Sequence, residues 1–473
     1  MTNQRDQSLP ASLRSQVFKG GGFLAGRQAV SLVIGVLGPV YLLQEIGPSN
    51  YGLYAAVLGI VTYTQLLSQW GIEVYLIRHP EGEDCPEVYH QAFTLLVALA
   101  ILGMGSAYLA LPLLNQWMRI PGFHPVAGAM GLSLPLMMLK QVPLAKLERE
   151  LDYKRIVVTE LGGQVCFYLV ALPLAFRNRS VWAPVAGWWC QQALIMALLL
   201  IVTRYRPYFC FNMHLVKRML SYGLGYSTSV WIYQLRALVN PLVVGHYAGG
   251  EAVGFVALAV RVVEALSFAK GAAGRISIAA LARLQDNLER LTKAIAEGTR
   301  LQMLMIGPPL AIFAGFGSWV LARVFGPRWI PAMLVYPFIA LGYLSNSGFV
   351  LSSSSLYVLR RNWDMAIFHA VHIILFAGSA LVLVPRLGII GYGWAEAAAL
   401  PSYWVLHYFT TRRVGRPEYA LAAMWWLAFG LALFEPVIGW PSLILLPIII
   451  VWPSSLKCCV GYARDAWAAT HGR

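Results

Sequence analysis

Residues 44–54 read QEIGPSNYGLY, and residues 247–257 read YAGGEAVGFVA. Each stretch follows one long apolar run and opens another. In each, two glycines stand five apart, Gly47 with Gly52 and Gly249 with Gly254, at an offset of 202 residues. A second correspondence joins Leu147-Glu-Arg149-Glu-Leu-Asp152 to Leu359-Arg-Arg361-Asn-Trp-Asp364, both L-x-R-x-x-D, at an offset of 212. Two anchors in the same order predict an internal duplication. The added length falls in ALARLQDNLERLTKAIAEGTR, residues 280–300, where Leu281, Leu284, Leu288 and Leu291 at helical spacing predict a surface helix.

The runs flanking these turns set the class. The 473-residue chain is 58% hydrophobic and 12% charged, with a mean hydropathy of +0.61, which lies outside the range of a soluble domain. An α-helix needs about 20 apolar residues to cross a bilayer. Runs of that kind lie near 20–43, 53–73, 90–114, 126–145, 156–176, 181–203, 220–245, 252–273, 301–325, 330–355, 364–384, 389–409, 419–435 and 438–453. The sequence thus predicts an all-α polytopic membrane protein with about fourteen transmembrane helices. Pro135, Pro143, Pro436 and Pro441 interrupt or bound the fourth run and the last two. No cleavable signal is expected, because the first apolar run is long and contains Arg27.

A net charge of +15 raises the question of nucleic acid, and the placement of the charge answers it. With the amino terminus inside, 27 of the 36 Lys and Arg fall in cytoplasmic segments, six in outer loops and three within spans. That alternation is the positive-inside rule, which predicts both termini in the cytoplasm and makes nucleic acid an unnecessary partner.

The duplication and the spans together predict a lobe of six helices over residues 1–210, a second over 211–415, and two further helices with a cytoplasmic tail over 416–473. Six is even, so both lobes enter the membrane in the same orientation. A pseudo-two-fold along the membrane normal, with a cavity between the lobes, is the expected result. Gly47-Pro48 and its counterpart at Gly249 then reverse the chain on the outer side.

Ionisable groups inside hydrocarbon are functional candidates, because an isolated charge there costs several kcal/mol. Three arginines qualify: Arg27 in span one, Arg236 in span seven and Arg261 in span eight. Thr62, Gln65, Gln69 and Glu73 form one polar stripe at helical spacing, and Ser229, Tyr233, Arg236 and Asn240 form another. Interhelical hydrogen bonding and a water-filled, anion-binding cavity are both open to these side chains. Arg261 and Glu264, three apart, fit either an intrahelical ion pair or a cavity role. Glu73, Glu264 and Glu396 are candidates for proton or sodium coupling, with no local cation evident for Glu396. His369 and His372 share a helix face, where hydrogen bonding between helices is expected rather than metal binding.

The six cysteines are scattered without metal or disulfide spacing, so packing or reduced thiols are expected. No phosphate-loop, G-x-S-x-G or H-E-x-x-H motif occurs, and no resident cofactor and no enzyme activity are expected.

Four stretches carry a family likeness: Ile46-Gly-Pro-Ser-Asn-Tyr-Gly-Leu-Tyr54, the run Pro143 to Arg155, the run Ala282 to Leu291, and Phe325-Gly-Pro-Arg-Trp-Ile-Pro331. Together they resemble the Wzx-type polysaccharide flippases of the multidrug/oligosaccharidyl-lipid/polysaccharide exporter superfamily over residues 15–410. The resemblance implies a bacterial inner-membrane protein that moves an undecaprenyl-diphosphate-linked oligosaccharide to the outer leaflet by alternating access, with membrane lipids and polymerase or export machinery as partners. It also implies that Arg27 and Arg261 face the cavity, as arginines of spans one and eight do in related lipid II flippases. Span seven departs from the pattern: Val239-Asn240 stands where Asp-Asn is usual. The alternatives are a cation-coupled drug exporter of the same superfamily and a membrane-embedded glycan polymerase or ligase.

Overall fold

The computed structural model describes residues 11–78, 86–268, 270 and 281–471, with the side chains of 11–37, 225, 226, 229, 463 and 465–471 outside that description. Among the described residues the fold is all helix, with no strand. The chain divides into two units, Met1–Trp231 and Ile232–Arg473.

The first unit holds α1 (Ala11–Gln69), α2 (Ile72–Arg78), α3 (Pro86–Met118), α4 (Phe123–Gly131), α5 (Leu134–Leu139), α6 (Gln141–Arg149), α7 (Tyr153–Asn178), α8 (Trp182–Thr203) and most of α9 (Met213–Gln234). The second opens on a 3-10 turn, Leu235–Leu238, and a π turn, Asn240–Val244. It continues through α10 (Gly245–Leu266), α11 (Leu288–Val324), a 3-10 segment Pro327–Leu334 and α12 (Tyr336–Val358). Then come α13 (Asn362–Leu387), α14 (Ile389–Ala399), α15 (Ser402–Arg413), α16 (Ala420–Ala432), α17 (Leu445–Val451) and α18 (Pro453–His471).

Five described helices, α3, α7, α8, α11 and α13, are long and apolar enough to cross a membrane by themselves. Two bent pairs reach that length together: Pro327–Leu334 with α12, bent by 51°, and Trp440–Val451 with Pro453–Tyr462, bent by 71°. Among the described residues, length and composition thus mark five to seven spans directly, within the all-α membrane fold expected from hydropathy. The expected fourth span is broken into α4, α5 and α6 around Leu132-Ser133 and Lys140, and the twelfth divides into α14 and α15 at Pro401. Hydropathy registers apolar length and is blind to such joints.

Within the first unit α7 packs along α8 and α1. A Cβ on Gly187 would lie 2.8 Å from the Phe167 carbonyl oxygen, and one on Gly163 would lie 2.4 Å from Ile195. Small residues thus allow the close backbone approach that dispersion between membrane helices requires. Polar side chains complete the bundle: Trp188 Nε1 donates to Ser133 Oγ at 3.0 Å, and Lys140 Nζ donates to Gln192 Oε1 at 2.6 Å.

The repeated glycines carry a repeated backbone. Inside α1, Gly47 sits at φ 74°, ψ 173°, and inside α10, Gly249 sits at φ 83°, ψ 174°. This region belongs almost solely to glycine, because any Cβ there collides with its own backbone. Nothing else lies within 4 Å of a Cβ placed at either position, so the constraint is local. Gly47→Ala and Gly249→Ala are each expected to cost about 1–3 kcal/mol. Thermal melting of the purified variants tests this, and an unchanged midpoint in the double variant would show that both joints relax freely.

The second anchor is corrected by the backbone. Leu151 and Arg360 share positive φ, 56° and 58°. The N–H groups of Asp152 and Arg361 reach back to the carbonyls of Leu147 and Leu356 at 2.9 and 2.8 Å. The helices that follow, α7 and α13, are both 26 residues long. Turn and helix therefore correspond at an offset of 209, not the 212 of the L-x-R-x-x-D match. Asp152 caps α7 by accepting from the Arg155 N–H at 3.1 Å, whereas Asp364 lies within the first turn of α13 and pairs with Arg413 at 3.1 Å. The two aspartates do different work.

The expected surface helix over 280–300 is also revised. Asn287 accepts from the Arg290 N–H at 3.0 Å and starts α11 at Leu288, which runs on unbroken to Val324. Leu281, Leu291 and Ile295 are buried together with Leu351 and Val414. A side-chain cap has thus divided what spacing alone joined.

Candidate functional site

Pro241 has no N–H to donate and so removes one backbone hydrogen bond from this part of the seventh span. The backbone changes from α9 to the 3-10 turn Leu235–Leu238 and then to the π turn Asn240–Val244, where Gly245 N–H reaches Asn240 O. Such interruptions often mark functional positions in helices. The predicted stripe of Tyr233, Arg236 and Asn240 runs along this irregular stretch, and the Ser229 side chain lies outside the described residues.

Arg236 is the centre of the candidate site. Its Cζ lies 5.7 Å from the Tyr233 ring centroid, over the ring. Glu396, Tyr343 and Tyr403 are within its electrostatic range, as are Lys270, His369 and His372. Among the described residues, no hydrogen bond and no ion pair within 4.0 Å engages the guanidinium, which is half-buried. Five donors therefore stand available, in the flat fork that suits carboxylate or phosphate oxygens.

The surrounding groups are more fully committed. Tyr392 OH donates to Glu396 Oε1 at 3.2 Å, one turn along α14. Tyr343 OH donates to Glu264 Oε1 at 2.9 Å, and Lys270 Nζ lies 4.5 Å from the centroid of the Tyr343 ring. His372 Nδ1 and Ser402 Oγ are 2.9 Å apart, the hydrogen bond between helices expected for that histidine. His369 meets Tyr233 edge to face at 4.9 Å and lies 3.4 Å from Tyr357 OH. Among the described residues, no group of His, Cys, Asp and Glu has metal-site geometry. The result is a cation fringed by phenols and imidazoles, with carboxylates near but not closed onto it.

Other predicted residues fall elsewhere. Asn240 donates from Nδ2 to Val253 O at 3.3 Å, tying the π turn to α10, and leaves Oδ1 buried without a partner among the described residues. Arg261 and Glu264 are both exposed on α10. The Arg27 side chain lies outside the described residues. Gln65 donates from Nε2 to Met137 O at 3.2 Å and so holds α1 to α5. Gln69 is buried, with Nε2 unpartnered among the described residues.

One sequence expectation changes here. The stripe from Thr62 to Glu73 is not continuous, because Trp70 and Gly71 turn the chain at φ 49° and 63° and put Glu73 on α2. Glu396, which has no cation near it in sequence, lies within electrostatic range of Arg236, 160 residues away in the chain. Near Glu73, burial first and the Glu160 charge second push the Glu148 carboxyl above its ordinary range.

Sequence reasoning does not single out Lys270, Tyr343, Tyr392 or Tyr403. Lys270 is hidden among basic residues at the end of its span, and the tyrosines sit singly on apolar helices. Only their convergence on Arg236 marks them.

The family described as polysaccharide biosynthesis protein matches residues 45–334. The succinoglycan biosynthesis transport protein ExoT of Rhizobium meliloti (strain 1021) is 22% identical over 329 residues, which is 67% of this chain and 63% of ExoT. The match thus spans less than two thirds of that relative's length. Among solved structures, the lipid II flippase MurJ in an inward closed conformation aligns at a TM-score of 0.73 and 13% identity, over 93% of this chain and 99% of MurJ. An inward-facing multidrug resistance MATE family transporter of the MOP superfamily aligns at 0.61 and 15% identity, over 81% of this chain and 95% of its own. At these identities the structural likeness speaks for the fold.

Proposed function

We propose, from the premise that this chain belongs to the polysaccharide biosynthesis protein family and is a transporter of the MOP superfamily, that it flips an undecaprenyl-diphosphate-linked oligosaccharide from the cytoplasmic to the outer leaflet. Alternating access moves the diphosphate and sugars, which lipid cannot dissolve, while the polyprenyl chain stays in the bilayer. The protein is a multi-pass protein of the bacterial inner membrane, with both termini in the cytoplasm. Arg27 and Arg261 contribute further positive charge along the route. Gln65, Gln69, Tyr233 and Asn240 exchange hydrogen bonds with sugar hydroxyls. The coupling ion is a proton or sodium, carried on Glu396, Glu264 or Glu73.

The observation that carries this proposal is the uncommitted guanidinium of Arg236. A diphosphate offers it charge-assisted, potentially bidentate bonds of the strongest ordinary kind. The nearby carboxylate of Glu396 supplies a resting counter-charge that an incoming anion displaces, so the cation is stabilised when empty and still able to release its cargo. A cation locked in a dry ion pair lacks that property.

A strain lacking the protein is expected to accumulate single repeat units on lipid at the cytoplasmic face of the membrane, inaccessible to a membrane-impermeant glycosidase or lectin in intact spheroplasts. Single units found accessible on the outer face would instead indicate a polymerase or ligase defect and overturn the proposal.

A further inference from the structure

A second feature in the unit Ile232–Arg473 shares Tyr403 with the surroundings of Arg236. Helices α11, α12, α14, α15 and α16 enclose an open-ended cavity of about 560 Å3, a size typical of ligand sites. Its walls carry the rings of Phe349, Tyr403, Trp404, Tyr419 and Trp426.

Most of the polar groups on these walls are already used. Thr299 Oγ1 donates to Gly348 O at 3.0 Å, and Trp426 Nε1 donates to Ser345 Oγ at 2.9 Å. Ser345 Oγ in turn donates to Leu341 O at 2.8 Å, and Tyr419 OH lies 3.4 Å from Ser352 Oγ. An occupant of the body of the cavity therefore meets aromatic faces, with little left to bond a sugar or a phosphate.

One end differs. His407 lines the cavity with its ring 5.4 Å from that of Tyr419. Its Nε2 is 3.4 Å from Thr411 Oγ1, while its Nδ1 is buried without a partner among the described residues. Arg416 acts electrostatically on this imidazole and is exposed, with no hydrogen bond or ion pair among the described residues. Arg412 and Arg413 stand at the same end of α15, committed to Tyr408 OH at 3.0 Å and to Asp364 at 3.1 Å. By the positive-inside rule, this arginine-rich end lies at the headgroup level of the cytoplasmic leaflet.

We propose that this cavity is a binding site for an anionic phospholipid, with an acyl chain along the aromatic walls and the phosphate at His407 and Arg416. Charge complementarity selects the occupant: basic pockets between membrane helices on the cytoplasmic side suit anionic headgroups. The largely committed, aromatic walls suit hydrocarbon for the buried part.

The test is native mass spectrometry of the full-length detergent-purified protein, titrated with phosphatidylglycerol, phosphatidylcholine of matched chains, and undecaprenyl phosphate. Phosphatidylglycerol is expected to bind at least tenfold more tightly than phosphatidylcholine. Ala423→Trp, which fills the cavity from its exposed rim, is expected to abolish retention of both phospholipids, and Ala397→Phe serves the same purpose should the first variant fail to fold. Arg416→Gln and His407→Leu are expected to retain phospholipid but erase the preference for the anionic headgroup. Equal binding of the two phospholipids to the wild type overturns the proposal. So does unchanged retention in a folded cavity-filling variant, or displacement of phosphatidylglycerol by equimolar undecaprenyl phosphate.

Discussion

Replacing Arg236 by glutamine is expected to leave the protein folded and inserted while surface polysaccharide falls to the level of a strain lacking the gene. The expectation of stability follows from what Arg236 does not touch. No hydrogen bond or ion pair among the described residues is lost with it, and Glu396 keeps the hydroxyl of Tyr392 at 3.2 Å. The expected loss of function follows from what it has free. Two charge-assisted hydrogen bonds to a diphosphate contribute about 3 kcal/mol at the low end, roughly a hundredfold in affinity. Arg236→Lys keeps the charge but loses the planar fork, and an intermediate yield of polymer is expected. The measurement is surface polymer per unit of protein in the membrane, with lipid-linked repeat units assayed in parallel. Normal polymer from a well-expressed glutamine variant would remove Arg236 from the transport route.

The largest structural effect is expected at Gly223, on α9. A Cβ there would sit 1.7 Å from the carbonyl oxygen of Trp70, and backbone has no rotamer with which to yield. The contact closes the turn that ends α1, where a Cβ on Gly71, at φ 63°, would lie 3.3 Å from Gly223 Cα. Around it, Trp231 Nε1 donates to Leu66 O at 3.0 Å, and Trp70 meets Trp231 edge to face at 5.6 Å. Gly223→Val must therefore pry α9 from α1, and a loss of at least about 3 kcal/mol is expected, at or beyond the upper range for overpacking. Gly105→Val, where a Cβ meets nothing within 4 Å, is the matched control. Size-exclusion profiles and melting of the two variants check this. A Gly223→Val protein as monodisperse and heat-resistant as the control would mean that the α1–α9 contact is not part of the folded state.

Some of this was legible in the residues alone. Apolar length with loop charge bias fixed the membrane class, because hydrocarbon thickness and the cost of exposed backbone in lipid leave helices or closed barrels as the options. The paired glycines forecast a shared joint, because the backbone at Gly47 and Gly249 excludes side chains for a purely local reason. Arg236 could be named because an arginine in an apolar run is rare enough to count by itself.

Tertiary structure decided the rest. That Glu396 comes within electrostatic range of Arg236, that Tyr343 ties Glu264, and that Gly223 seats the Trp70 turn are matters of which helix lies beside which. Hydropathy and periodicity describe one helix at a time and are silent on its neighbours. The surface helix that proved to be the head of α11 and the polar stripe cut at Gly71 have a local reason instead, because periodicity passes over the Asn287 cap and the positive-φ turn at Trp70-Gly71. In this protein the sequence by itself determined the solvent, the kind of element and the presence of intramembrane charge. The partners of that charge, and with them whether the guanidinium is spent or available, were settled only by packing between segments up to 160 residues apart.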